Sequence, residues 1–387
     1  MNTIKRLKTA PESHFFLFGP RGTGKTTWLK MAFKDAVYLD LNESVHFRQF
    51  MAAPEHLETI ADANQTSVII IDEIQRIPAL LPVVHRCIDK KWGKQFILTG
   101  SSARKLRRTD VDMLGGRAMP KHMHPFMACE LSDRFRLENA LKYGMLPLVA
   151  DSMDPQAILD GYAGLYLEQE IKAEALVRNI ESFSRFLTAL SFSQGSTLNL
   201  SSAARDCQIK RSTISSFLEI AQDLLIAGLL PVFSRRARRT ASVHPKFYFF
   251  DCGVYRSLRP TGMLDQPAEI DGVALETLIY QHLRGWIDNG NNKMELAYWR
   301  TSTGMEIDFV VYGQETFYAI EVKNSSRIRP EDLRGSKAFA KDYPEATMIV
   351  LYRGKERLKM GKVTIIPVED FLLKLGPNSS FGNAVGC

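Results

Sequence analysis

Gly19-Pro20-Arg21-Gly22-Thr23-Gly24-Lys25-Thr26 follows the apolar run Phe15-Phe16-Leu17-Phe18 and leads into Thr27-Trp28-Leu29-Lys30, a stretch of helical character. A strand, a glycine-rich turn ending in Gly-Lys-Thr and a helix form the context in which a G-x-x-x-x-G-K-[ST] match describes a phosphate-binding loop. Glycines let the backbone curl so that its N–H groups point inward at phosphate oxygens. The N-terminus of the following helix adds partial positive charge. In such a loop Lys25 reaches the β- and γ-phosphates of ATP, and the Thr26 hydroxyl coordinates Mg²⁺. The expected nucleotide contacts are Gly19, Pro20, Arg21, Gly22, Thr23, Gly24, Lys25, Thr26 and Thr27.

Ala36-Val37-Tyr38-Leu39, Val68-Ile69-Ile70-Ile71 and Phe96-Ile97-Leu98-Thr99 are also continuous apolar runs separated by polar stretches of helix length. Strands buried on both faces read this way, so the expectation is a doubly wound α/β domain with a parallel sheet. The run at 68–71 ends in Asp72-Glu73. An acidic pair at a strand end next to a phosphate loop places Asp72 at the metal and Glu73 as general base for the attacking water. The run at 96–99 continues into Gly100-Ser101-Ser102, where Ser101 or Ser102, with Thr99 as a further choice, would hold the water and sense the γ-phosphate. Gly115-Gly116-Arg117 supplies a candidate arginine finger, Arg117, for a neighbouring subunit's site; Arg104, Arg107 and Arg108 compete for that role.

Taken together, Gly19–Thr26, Asp72-Glu73-Ile74-Gln75-Arg76-Ile77-Pro78, Leu98–Ser102 and Gly116-Arg117 resemble the prokaryotic AAA-type (AAA+) P-loop ATPases with an appended C-terminal domain of restriction-endonuclease-like, PD-(D/E)XK, fold. The resemblance covers nearly the whole chain. It implies ATP and Mg²⁺ as cofactors and a homo-oligomer, such as a hexameric ring, with ATP bound between subunits.

Beyond about residue 150 the texture becomes helical. Leu198–Cys207 reads as a short capped helix, and Arg211-Ser212-Thr213-Ile214-Ser215-Ser216-Phe217-Leu218 opens a longer one with Ile214, Phe217 and Leu218 facing inward. That is the pattern of a helix-turn-helix whose second helix presents Arg211 and Ser212. Strands near 229–233 and 246–250 would form a wing, whose Arg235, Arg236, Arg238, Arg239 and Lys246 are expected to contact DNA phosphates. Arg104-Lys105-Leu106-Arg107-Arg108 is a second basic cluster, either lining a ring's pore or simply solvated.

The last third carries a helix, Val273 to Ile287, and strands near 295–300, 306–312, 317–322 and 347–352. Asp308 with Glu321-Val322-Lys323 matches D…E-x-K. Asp308 and Glu321 would supply carboxylates to a second Mg²⁺ or Mn²⁺, and Glu276 would extend the cage. Lys323 leaves the strand on the same face as Glu321 and would orient the attacking water or stabilise phosphorane charge. The expected architecture is an ATPase domain at 1–150, a helical and winged helix-turn-helix region at 151–262, a restriction-endonuclease-like α/β domain at 263–375 and a disordered tail at 376–387.

Composition agrees with this reading. The chain has 387 residues and a net charge of +7, a basic balance that favours anionic partners such as DNA. Its five cysteines, Cys87, Cys129, Cys207, Cys252 and Cys387, include no C-x-x-C pair, which argues against a zinc knuckle or a disulfide framework. There is no apolar stretch of signal-peptide or bilayer-spanning character, so a cytoplasmic protein without membrane partners is expected. Two functions fit: an oligomeric DNA motor that remodels, translocates along, unwinds or branch-migrates DNA and binds or cuts it, or a regulatory switch ATPase whose C-terminal domain is an interaction module.

Overall fold

Alternate residues of the first apolar runs enter two different cores. In the computed structural model, which describes residues 4–101, 114–166, 171, 179–235, 244–290 and 293–386, Phe16, Phe18, Ile69, Ile71, Phe96 and Leu98 pack on one face of a sheet with Phe50, Leu57 and Val84. Phe15, Leu17, Ile70 and Ile97 pack on the other with Trp28 and Leu29. Side chains alternate across a strand, so a strand covered on both faces must be apolar at every position. The strands are β1 (Phe15–Phe18), β2 (Val37–Asp40), β3 (Val68–Asp72), β4 (Gln95–Gly100) and β5 (Met119–His122).

Their order is β2-β3-β4-β1-β5, and every neighbouring pair is parallel. Two consequences position the site. The carboxyl ends of all five strands share one edge, where open α/β sheets bind ligands. Strand β4 also lies between β1 and β3, so its polar end falls between the phosphate loop and the acidic pair. Strand β5, Met-Pro-Lys-His, is largely exposed at the sheet edge and carries no apolar run that would mark it as a strand.

Chain contacts gather into two units. One contains Lys8–His124 and Ala221–Ile226; the other takes the remaining described residues. The division falls at His124, short of the expected boundary at 150. Residues ahead of Lys8 join the second unit through the Leu7 N–H to Glu130 Oε1 bond (2.9 Å) and the Arg6–Glu130 ion pair (3.3 Å).

In the second unit, Asn199 caps the helix Leu200–Asp206 by accepting from the Ser201 and Ser202 N–H groups, and the helix Arg211–Asp223, whose last three residues belong to the first unit, follows. Ile214, Phe217 and Leu218 are buried, and Phe217 packs edge-on against Phe183 at 5.0 Å. Strands β6 (Ala227–Leu230) and β7 (Lys246–Phe249) pair antiparallel as a ribbon. The helix Pro267–Asn289 precedes a six-stranded mixed sheet ordered β12-β13-β11-β10-β9-β8. Its strands are β8 (Glu295–Arg300), β9 (Glu306–Tyr312), β10 (Phe317–Lys323), β11 (Thr347–Tyr352), β12 (Leu358–Met360) and β13 (Val363–Pro367).

The tail at 376–387, expected to be disordered, is instead anchored. Phe381–Val385 form a helix capped by Ser380, with Phe381, Ala384 and Val385 buried. Phe381 packs on Trp286 and Phe371, and the Trp286 Nε1–H donates to the Ser379 carbonyl at 2.8 Å. The Gly-Pro-Asn-Ser-Ser composition that reads as a loose end is a turn leading to one aromatic anchor. Among the described residues no helix is long and apolar enough to cross a membrane.

Candidate functional site

The phosphate loop is shaped by two glycines. Gly22 has φ 81° and Gly24, the cap of the helix Lys25–Ala32, has φ 85°. This left-handed region costs a residue bearing a Cβ about 1–2 kcal/mol. Thr23 closes the turn by donating to the Pro20 carbonyl at 2.8 Å. Lys25 is 7% exposed, and its Nζ donates to the carbonyls of Gly19 (2.7 Å) and Pro20 (3.3 Å). The phosphates of ATP would offer this ammonium stronger, charge-assisted partners. Arg21 and Thr27 are exposed.

Asp72 is buried at the end of β3. Its Oδ2 accepts from the Thr26 hydroxyl at 2.9 Å and from the Tyr38 hydroxyl, and its Oδ1 accepts from Thr99. These donors come from the loop helix, from β2 and from β4, the two strands flanking β3. Burial first, and the Asp72 charge second, push the Tyr38 phenol well above its ordinary range, so it remains a donor. All three donors are neutral, and so hold the carboxylate without cancelling its charge. A hydroxyl and a carboxylate 2.9 Å apart beside a phosphate loop fit Mg²⁺ with ATP, because Mg²⁺ takes oxygen ligands and is held by few protein groups. When bound, the ion neutralises phosphate charge.

Glu73 has φ 60°, a conformation costing a non-glycine residue about 1–3 kcal/mol. Its N–H donates to Thr99 Oγ1 at 3.2 Å. Its carboxylate accepts from Gln75 Nε2, which also donates to Ser101 Oγ at 3.2 Å. Gln75 is buried, and its Oε1 has no hydrogen-bond partner among the described residues. Thr99 thus bonds directly to both acidic residues, and Ser101 is linked to Glu73 through Gln75. Neither Tyr38 nor Gln75 has a role in the site as read from the sequence. Tyr38 sits inside an apolar run that gives it no mark; Gln75, two residues past the acidic pair, was legible as polar but not as inward-facing. Arg117 pairs with Asp89 at 3.0 Å on the surface. Ser102, Arg104, Lys105, Arg107 and Arg108 lie outside the described residues.

The C-terminal constellation differs from its expected form. Lys246, expected to face DNA phosphates, is 2% exposed and points inward. Its Nζ lies 3.0 Å from Glu276, 2.5 Å from Glu306 and 3.5 Å from Asp308. Tyr248, two residues on and so on the same face of β7, donates to Glu276. Lys323 pairs with Glu321 at 2.6 Å, and Asp308 also accepts from the Val322 N–H at 2.8 Å. Among the described residues no group of three or more acidic, histidine or cysteine side chains is arranged to hold a metal ion. The expected second Mg²⁺ or Mn²⁺ cage of Glu276, Asp308 and Glu321 thus finds no support among the described residues, where Lys246 and Lys323 lie against its carboxylates.

Burial works against the Lys246 charge, but Glu276, Asp308 and Glu306 outweigh it and hold its pKa above the ordinary value. Burial also raises Glu276 to about 7 and, together with Asp308, Glu321 to about 8. Glu306 went unread in the sequence; the period-two spacing Glu306-x-Asp308 on one strand was the signal for it.

Of the expected DNA contacts, Arg211 and Ser212 are exposed at the start of their helix. Arg235 is paired with Glu295 at 2.9 Å and lies 5.0 Å over the Tyr312 ring. Arg236, Arg238 and Arg239 lie outside the described residues.

Comparison with known proteins agrees with this geometry in the first unit. Residues 12–132 match the AAA domain family AAA_14, and this part of the chain is an AAA-type ATPase domain. Residues 134–265 and 271–371 match two domains of unknown function, DUF8612 and DUF4143. Two uncharacterized mycobacterial proteins, Mb2031c of Mycobacterium bovis and Rv2008c of Mycobacterium tuberculosis, are each 25% identical over 372 residues, covering 93% of this chain and 81% of theirs. Among solved structures, the replication initiator DnaA bound to AMPPCP and single-stranded DNA superposes with a TM-score of 0.27 at 13% identity, covering 54% of this chain and 82% of that one. Protein VC1899 from Vibrio cholerae gives a TM-score of 0.23 at 12% identity, covering 93% and 95%. Both scores lie below the level at which a shared fold is inferred.

Proposed function

We propose that this chain is an ATP-hydrolysing, oligomeric AAA-type ATPase that acts on DNA and engages it through the helix-turn-helix at 200–223. The observation that carries the ATPase reading is the Thr26–Asp72–Thr99 cluster with Glu73 beside it, at the carboxyl edge of β3 and β4. In this reading Lys25 and the loop N–H groups hold the phosphates, Thr26 and Asp72 hold Mg²⁺, and Glu73 takes the proton of the attacking water. Arg117 reaches a neighbouring subunit's γ-phosphate, leaving its surface pair with Asp89 to do so. The exposed Arg211 and Ser212 and the +7 net charge support DNA as the partner.

The test is phosphate release by the full chain with no DNA and with single-stranded, duplex and branched DNA. Stimulation by DNA that is lost in Lys25→Ala and in Glu73→Gln supports the motor. Mixing Glu73→Gln with Arg117→Ala subunits restores turnover if the finger acts across subunits.

A second reading is favoured by Lys246. Three carboxylates that share one buried lysine fit a C-terminal module that binds DNA or protein without cutting, attached to an ATPase switch. It predicts hydrolysis indifferent to every DNA form. It also predicts intact DNA after incubation with Mg²⁺ or Mn²⁺; cleavage abolished by Asp308→Ala would sink that prediction.

A further inference from the structure

Gln75 touches both the candidate base and the candidate sensor. Its Nε2 donates to the Glu73 carboxylate and to Ser101 Oγ, while its Oε1 is a buried acceptor without a partner among the described residues. The backbone brings it there. Glu73 takes the left-handed conformation and the 3₁₀ turn Ile74–Arg76 follows, so residue 75 returns beside residues 73 and 101 instead of extending β3. A glutamine serving only to fill space would leave an avoidable buried acceptor unmet, where an apolar side chain of similar size would not.

We propose that Gln75 is a positioning residue for hydrolysis: its amide N–H holds the Glu73 carboxylate in register with Ser101, and its Oε1 accepts a hydrogen bond from the attacking water. The proposal rests on Glu73 being the base. In the step, the water oxygen bonds to the γ-phosphorus and its proton passes to Glu73. The bond from the γ-phosphorus to the bridging oxygen breaks, and ADP leaves with that electron pair. Gln75 gains and loses nothing. An amide suits this place because it donates and accepts at once and carries no charge that would oppose or cancel that of Glu73.

The experiment measures steady-state phosphate release and fluorescent ATP-analogue affinity for the full chain, comparing wild type, Gln75→Glu, Gln75→Ala and Glu73→Gln. Misplacing a reacting group by about an ångström costs about 10²-fold, so kcat should fall by about that factor in both Gln75 variants. KM and analogue affinity should stay within about threefold of wild type, since a positioning loss leaves ground-state binding in place. Gln75→Glu keeps the volume but loses the donor, so it separates positioning from packing even if Gln75→Ala fails to fold. Wild-type kcat in Gln75→Glu overturns the proposal, as does a loss confined to KM. Wild-type turnover in Glu73→Gln would instead remove the base assignment beneath it, a distinct outcome.

Discussion

Asp72 and Asp308 each sit on a strand beside further acidic residues, and the two units handle that charge differently. Around Asp72 the partners are three hydroxyls, Thr26, Tyr38 and Thr99. Around Asp308, Glu306 and Glu276 the central partner is the Lys246 ammonium, with Lys323 on Glu321. Neutral donors orient a carboxylate and leave its charge available to an incoming cation. A buried ammonium orients it and offsets part of its charge. One constellation is open to a metal-bound nucleotide, and the other already holds two lysines among its four carboxylates. D…E-x-K describes the residue types in the second but not the cation that balances them.

The comparison can be broken first at its strongest point. Asp72→Asn keeps the shape and most hydrogen bonds but removes the charge, and ATP turnover should fall by about 10²–10³-fold, the usual loss for one electrostatic partner of a transition state. Turnover near wild type in a phosphate-release assay would show that the Asp72 charge is not used. Next, Lys246→Met leaves three carboxylates without their cation and should destabilise the second unit by about 3–5 kcal/mol in denaturant unfolding. Adding Glu276→Gln, Glu306→Gln and Asp308→Asn should recover most of that loss; no recovery would mean that Lys246 acts through packing.

A third carboxylate sharpens the contrast by having backbone partners. Asp251 is fully buried and accepts from the N–H groups of Met145, Gly253 and Val254. Burial nevertheless raises its pKa from 3.8 to about 6. A carboxyl with a raised folded pKa contributes stability that is present below the unfolded value, near pH 3.8, and is lost as pH rises towards about 6. The loss is about 3 kcal/mol for a shift of this size. Asp251→Asn should remove this part of the pH dependence, and urea midpoints of the two proteins should diverge as pH rises; parallel curves would refute the shift. The smallest effect is expected at Arg117, whose surface pair with Asp89 contributes less than about 1 kcal/mol. A thermal midpoint for Arg117→Ala well below wild type would assign it a structural role instead of a finger's.

Much of the first unit was legible because its signals are local. The runs at 15–18 and 68–71 needed only two covered faces, and the loop Gly19–Thr26 is contiguous in the chain. Strand β5 was not legible, since Met-Pro-Lys-His at a sheet edge carries no burial pattern. The C-terminal strands showed in their apolar alternation, but the partners of their acids did not. Lys246 lies in a ribbon just after a run of arginines and reads as one more surface cation; only the pairing of β6 with β7 and the packing around Glu276 turn it inward. The tail misled for the opposite reason: one aromatic ring, Phe381, outweighs a polar composition when Trp286 and Phe371 form its pocket.

By itself the sequence determined the phosphate loop, the acidic pair that follows β3 and the parallel sheet that carries them, because each is set by neighbours in the chain. Tertiary structure alone decided which groups share a charge. Thr99 and Tyr38 meet Asp72, and Gln75 bridges Glu73 to Ser101, because strand order and a left-handed turn bring them there. Lys246 pairs with carboxylates up to 62 residues away because a buried ammonium is stable only where several acids converge.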